Sequence, residues 1–493
     1  MSNTGSSSGT ASDSSLESGL SGELKIADAN TVDWDGPNDP AKPRNWSPRK
    51  RWAHIIIVSI LALVTNMAPT MCAPGISELA LDFHITSPHV STLAVTLYPL
   101  GLAIGPMLIA PLSEVYGRLP VYHIASLIFV AFLVGNALSK DVGQFMVFRF
   151  LSGCAGGTPM ALGAGTIADV TTPQKRGIAM ALFSLGPLTG PVLAPVIGGF
   201  TADHKGWRWT FWILAILGGT AGTASLLVMR ETNPKIILRR KPAIRDPPYP
   251  NQRQPVHSHP VERPHRLLAR ALTRPTMILI RSPIVLVMSL YMALVFGTMY
   301  LLFTTFTQVF QSQYAFTKST SGLAYLGLGA ALVAAMVTSS ALGDRVRTSR
   351  MRSDGVEQPR PEYRLVLMIW FTPLVGVGLL LYGWTVYYKV HWIVPIIGTA
   401  FIGFGAFFVI MPTQLYLVDL FGSKGAASAL GATNLLRYLS STFLPLAGPS
   451  MYKALGYGWG NTLLGFLAMA FIPAPILFYK YGEKLRAKTR VIL

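Results

Sequence analysis

Acidic residues are scarce in this chain. It has 22 Asp and Glu against 41 Lys and Arg in 493 residues, and no acid falls at the middle of a long apolar run. Only 13% of residues are charged while 51% are hydrophobic and mean hydropathy is positive, which excludes an ordinary soluble protein. Cysteine is scarcer still. Cys72 and Cys154 both sit in apolar segments, so a disulfide framework and zinc-type spacing are excluded and two buried thiols are expected. Catalytic signatures are missing too: there is no Gly-x-x-x-x-Gly-Lys-Ser/Thr, no His-Glu-x-x-His and no pair of carboxylates within a span. An enzyme is therefore not expected, and without a phosphate loop the chain holds no site for nucleotide as its energy source.

What is present is apolar length. Twelve stretches reach the ~20 residues needed to cross a bilayer: Trp52–Cys72, Val90–Leu112, Leu119–Leu138, Gln144–Ile167, Arg176–Phe200, Trp209–Met229, Pro283–Phe310, Gly322–Leu342, Leu365–Val386, Trp392–Leu417, Gly425–Pro449 and Tyr457–Tyr479. The expected architecture is an all-α polytopic membrane protein with two six-helix bundles. Its parts are a disordered tail and pre-membrane segment (1–50), a first bundle (51–230), a Pro/Arg-rich linker (231–282), a second bundle (283–480) and a short C-terminal tail (481–493).

A formal charge of +19 would point to nucleic acid in a soluble protein, but its placement says otherwise. With the N-terminus inside, 33 of the 41 Lys and Arg fall on inner segments and 6 on outer ones, so both termini are expected in the cytoplasm. Nucleic acid is not an expected partner; lipid is. The Ser/Gly-rich start lacks the basic and apolar regions of a cleavable signal, which leaves insertion to the first span. Asn45-Trp46-Ser47 fits a glycosylation pattern but falls on the inner side, and His257, His259 and His265 lie in a Pro-rich solvated tract with no ligand geometry.

The fifth span breaks the usual rules for a helix. Leu185–Phe200 reads LGPLTGPVLAPVIGGF, with Pro187, Pro191 and Pro195 every four residues and Gly186, Gly190, Gly198 and Gly199 among them. Each proline removes a backbone hydrogen bond, which a membrane tolerates only where neighbouring helices cover the freed carbonyls or water reaches them. Small residues let another backbone come close. The segment therefore reads as a kinked helix at a moving interface.

The two halves echo one another, as in transporters built from repeats. Glu114, Gly117 and Arg118 follow span 2, and Asp344 and Arg345 follow span 8. Asp169 and Arg176 flank the turn after span 4, and Asp419 ends span 10. These charges read as a cytoplasmic gate whose opposite signs latch adjacent helix ends; solvated loop charges that set topology are the alternative.

Arg149 and Arg437 lie within spans and should face the interior or a wet cavity, given the cost of a charge in the membrane. Arg149 could serve a proton relay by lowering the pKa of a nearby carboxyl. Candidates for a central cavity are Asn66, Tyr98, Tyr291, Tyr300, Phe303, Phe306, Gln308, Gln414, Tyr416, Asn434 and Arg437, with ordinary packing as the alternative for each aromatic. The shortage of acids argues against a polycation and for a neutral, amphipathic or anionic compound.

These residues resemble the major facilitator superfamily, and within it the fungal twelve-span drug:proton antiporters. Gly186, Pro187, Gly190, Pro191, Pro195, Gly198 and Gly199 are similar to the antiporter motif of the fifth helix. Pro111–Tyr122 resembles the signature after helix 2, with Ala110 and Leu119 departing from it. Arg149-Phe-Leu-Ser-Gly153 resembles the helix 4 motif, and Asp33-Trp34-Asp35-Pro37-Asn38-Pro40-Asn45-Trp46 an N-terminal motif. The resemblance implies a monomeric, proton-driven exporter of a small drug, toxin or secondary metabolite with no cofactor, in the plasma membrane or, as a second choice, the vacuole. A proton-coupled importer, a polyamine or vitamin carrier, and a non-transporting sensor are the alternatives.

Overall fold

The computed structural model describes residues 38–240 and 264–488, apart from 357 and 359, together with Trp34 and Gly36. The tail to Asp33, Asp35, Pro37, His257, His259 and the side chain of His265 lie outside the described residues.

Among the described residues the chain forms twelve membrane-length rods. The first six are α1 (Pro48–Met67), α2 (Pro88–Tyr116), α3 (Arg118–Leu138), α4 (Val142–Gly156, continued by Thr158–Val170), α5 (Pro173–Lys205) and α6 (Arg208–Val228). The second six are α7 (Pro283–Tyr314), α8 (Tyr325–Asp354), α9 (Leu365–Phe371, continued by Pro373–Tyr387), α10 (Ile393–Gly422), α11 (425–455) and α12 (457–470, continued by Pro473–Lys488). Ten stretches satisfy length and hydropathy. The count reaches twelve because Gly157 interrupts α4 and the non-helical Gly456 separates α11 from α12.

Local chemistry explains where rods begin and end. Proline opens α1, α2, α5 and α7, where its missing N–H costs nothing. Asp141 accepts from the Gln144 N–H at the start of α4. The turns α5–α6 and α11–α12 each rest on one glycine with positive φ, Gly206 at +86° and Gly456 at +70°. Their separation of 250 residues equals that between Asp169 and Asp419, so the repeat extends from charges to backbone shape.

Two further segments differ from the sequence expectation. α8 continues three turns past Leu342 to Asp354, because Gly343–Arg352 has helix-forming composition and no proline. The linker contains a helix, Pro264–Arg281, packed against α2 and α11. Its Pro275 faces Gly431, and its Ile278 clusters with Val285, Ala429 and Ala432.

Each bundle has its own aromatic core. Phe129, Phe145, Trp207 and Phe211 fill the first, and Tyr291, Phe306, Tyr325, Tyr382 and Phe408 the second. The bundles meet along two seams. α2 runs against α11, and α5 against α8 and the short helix Lys318–Leu323 before it. Both ends of the described chain lie on one face, called here the terminal face.

Candidate functional site

α5 sits wedged between its own bundle and the other. Gly186, Gly190, Ala194 and Gly198, four residues apart, form a buried stripe while Leu193, Ile197 and Phe200 point outward. The stripe lies against α1 and the segment beyond it. A Cβ on Gly186 would come within 2.8 Å of the Leu63 nitrogen, one on Gly190 within 3.1 Å of Asn66, and one on Gly198 would collide with the Met71 carbonyl. The adjoining flank meets the second bundle: Gly199 abuts the Lys318 carbonyl, Pro195 abuts Gly322, and Val192 fills the space left by Gly329. One freed carbonyl is covered as the proline spacing demands. Pro195 cannot donate to Pro191, and Thr70 Oγ1 donates to the Pro191 oxygen instead, at 3.1 Å.

At the terminal face Arg118 Nε lies 2.9 Å from Asp169, joining the start of α3 to the end of α4. Arg118 Nη1 also donates to the Leu162 carbonyl. Sequence reasoning missed the residue beneath this pair, Glu231. Its carboxylate accepts from the backbone N–H groups of Arg118, Leu119, Thr232 and Asn233, capping α3 from a segment 112 residues away. Gly117, at φ +100°, is required because any side chain there would run into this carboxylate.

The second bundle repeats the pair with a different cation than expected. Arg364, at the start of α9, lies 3.1 Å from Asp419 at the end of α10. Asp344 and Arg345 are exposed on the extended α8 and have no partner among the described residues, so they latch nothing. Asp344 instead lines a 330 Å³ cavity among α8, α9 and α10, with Arg347, Arg360 and Arg364. Glu114 is likewise exposed and unpaired among the described residues, and Arg176 reaches only the Ala168 carbonyl, at 3.4 Å. Of the expected gate, only Arg118 and Asp169 meet as an opposed pair.

Arg149 is fully buried. Its donors go to the carbonyls of Ala68, Pro69, Ala94 and Val95 and to Cys72 Sγ, at 2.9–3.3 Å, and Tyr98 and Phe211 lie over its plane. It ties α4 to α2 and to the segment after α1, and no carboxylate among the described residues touches it.

The cavity candidates separate. Tyr98 belongs to the first bundle's interior, donating to the Thr65 carbonyl and resting over Gly156, because glycines on α4 leave it room there. Tyr291 stacks on Phe471 within the second bundle, and Phe306 stacks on Tyr382. Tyr416 is buried in that core and Gln414 is half-buried. Asn66 returns its amide to the Ala62 carbonyl. Gln308 lines a 500 Å³ cavity between the bundles at the face opposite the termini, with Thr92, Tyr452 and Lys453. Near the centre of the α2–α11 seam Phe296 packs against Tyr300, which in turn meets Phe303, while Asn434 and Arg437 project from α11.

Direct polar contacts between bundles, among the described residues, all lie opposite the terminal face. Lys318 pairs with Glu78 at 3.0 Å, Ser319 donates to Asp203, and His89 meets the Leu446 carbonyl and Ser450. The far side is closed by these contacts, while the linker helix Pro264–Arg281 packs on both α2 and α11.

Two helical bundles meeting on paired seams, each with a buried arginine within a span, have the architecture of a membrane transporter. The sequence profile described as Major Facilitator Superfamily matches residues 58–445, and the chain belongs to that family. It is 50% identical to MFS transporter prlG of a fungal species (strain NRRL 50135), over 93% of this chain and 96% of the relative. It is 47% identical to MFS transporter fsa7 of Fusarium sp., over 95% and 91%. It is 46% identical to the Trichosetin biosynthesis cluster MFS transporter of Gibberella fujikuroi, over 94% and 90%. In fold it is similar to a D-xylose-proton symporter (TM-score 0.64, 15% identity, 86% of this chain and 98% of that one).

Proposed function

We propose that this transporter exports a small organic compound, of the secondary-metabolite kind, by alternating access coupled to the proton gradient, with the terminal face in the cytoplasm. The observation that carries this reading is α5: one glycine flank lies against α1 while the adjoining flank lies against the helix leading into α8, so rocking of one bundle on the other passes through its backbone. The compound's class is supported by the relatives, one of which is named for a biosynthesis cluster. The cytoplasmic terminal face is supported by the bias of Lys and Arg.

Proton coupling is the finest part of the reading. The described spans offer no acid at mid-depth, so coupling falls to groups at the rod ends, with Asp169 against Arg118 the foremost, and Arg149 acts on it only by holding α4 to its neighbours. The plasma membrane is the proposed site of action.

The test expresses the chain in an efflux-deficient fungal cell and follows retention of a panel of lipophilic compounds with and without a protonophore. Lower retention that vanishes with the protonophore is expected. Lower retention that persists would remove proton coupling, and unchanged retention of every compound would remove export.

A further inference from the structure

The two arginines within spans are not in the same condition. Arg149 has its donors engaged by carbonyls and a thiol. Arg437, only 7% exposed and near the middle of α11, is held between the rings of Phe296 and Tyr438 at 4.7 and 4.6 Å. Its Nε is buried without an acceptor, and no oxygen among the described residues pairs with the guanidinium. A guanidinium keeps its charge at any physiological pH and carries five N–H donors. Ring faces return only part of the hydration it gives up.

One turn earlier on the same face, the Asn434 Oδ1 is also buried and unpaired. Asn434, Leu435 and Phe296 are partly open, and the linker helix that packs on α2 and α11 meets α11 at Gly431, one turn before Asn434. No carboxylate competes there: among the described residues none bonds to or pairs with Arg437 or Asn434.

We infer that Arg437 and Asn434 form an anion-recognition site, and that the carried molecule is an organic acid. Its deprotonated group is held by Arg437, a donor beside that group meets Asn434 Oδ1, and its apolar body lies along Phe296 and Tyr438. This rests on the reading of the chain as a carrier of a small organic compound, but it requires neither export nor protons.

The test uses the full chain in lipid nanodiscs in chloride-free gluconate buffer. The probes are amphipathic carboxylic acids of four to twelve carbons, each beside its methyl ester, with binding to empty discs subtracted. At least one acid is expected to bind tenfold or more tightly than its ester, a preference kept in large part by Arg437→Lys and lost in Arg437→Gln. In the wild-type protein the same acid should protect Arg437 from phenylglyoxal, read by peptide mass spectrometry, which needs no variant to fold. Equal binding of acid and ester, a preference that survives Arg437→Gln, or protection by added chloride but by no acid would each overturn the inference. An acid that binds through Arg437 in a protein that fails to lower cellular retention would leave the inference standing and sink the export reading instead.

Discussion

Single residues carry this fold where charge has been taken from water. Arg149 is the clearest case, because four carbonyls and a thiol lose their donor if it is replaced. Each buried acceptor left open costs about 1–3 kcal/mol. Arg149→Gln should therefore lower the thermal midpoint of the purified protein by far more than Arg437→Gln, whose partners are only rings. Equal loss in a fluorescence-detected melting experiment would contradict the carbonyl cage. Glu231 gives a second prediction. Glu231→Gln keeps the shape but weakens four charge-assisted N–H contacts. It should loosen the α2–α3 turn by about 1–2 kcal/mol, read as faster hydrogen exchange at Arg118 and Leu119 with α9 unaffected. The interior placement of Arg149 could be read from sequence, since a charge within an apolar run must turn inward. Glu231 and Arg364 could not: each is one of many charges in segments that read as solvated, and what sets them apart is a contact made 112 or 55 residues away.

At the level of the element, α5 was legible and α8 was not. Repeating glycine and proline at four-residue spacing falls on one helical flank whatever the tertiary context, so its packed face follows from sequence alone. The end of α8 depends on whether a polar helix continues past the membrane, and hydropathy marks only where apolar residues stop. That is why Asp344 reads as a loop acid and sits on a rod. The α5 account predicts opposite outcomes at two glycines. Gly198→Ala drives a methyl into the Met71 carbonyl and should cost about 1–3 kcal/mol by overpacking, whereas Gly177→Ala, with open space around it, should cost nothing. Thr70 and Pro195 provide a finer check. Thr70→Val leaves the Pro191 oxygen unpaired and should destabilise, but with Pro195→Ala the restored N–H reaches that oxygen and the Thr70 change should become nearly neutral. A coupling near zero in this double-mutant cycle would mean the hydroxyl does not stand in for the lost helix bond.

For the whole molecule, the question is which contacts must break for the carrier to turn over. The two bundles are tied at the face opposite the termini by charged and polar groups, and along α5 by close backbone packing. Charged pairs that are one-third exposed hold little energy, about 0–1 kcal/mol, so Lys318 and Glu78 should part readily when that face opens. They should not be needed for folding. Because Lys318 Nζ and Glu78 Oε2 stand 3.0 Å apart, a zero-length carbodiimide can convert the ion pair into an amide without any engineered residue. That bond would hold the far side shut, and transport by the wild-type protein should fall in proportion to the cross-linked fraction measured by mass spectrometry. Lys318→Gln removes the nucleophile while keeping the surface polar, so it should transport at close to the normal rate and resist the reagent. If the cross-linked protein transports as fast as the untreated one, the bundles do not separate at this face during the cycle, and alternating access through the α5 seam is not how this chain moves its cargo.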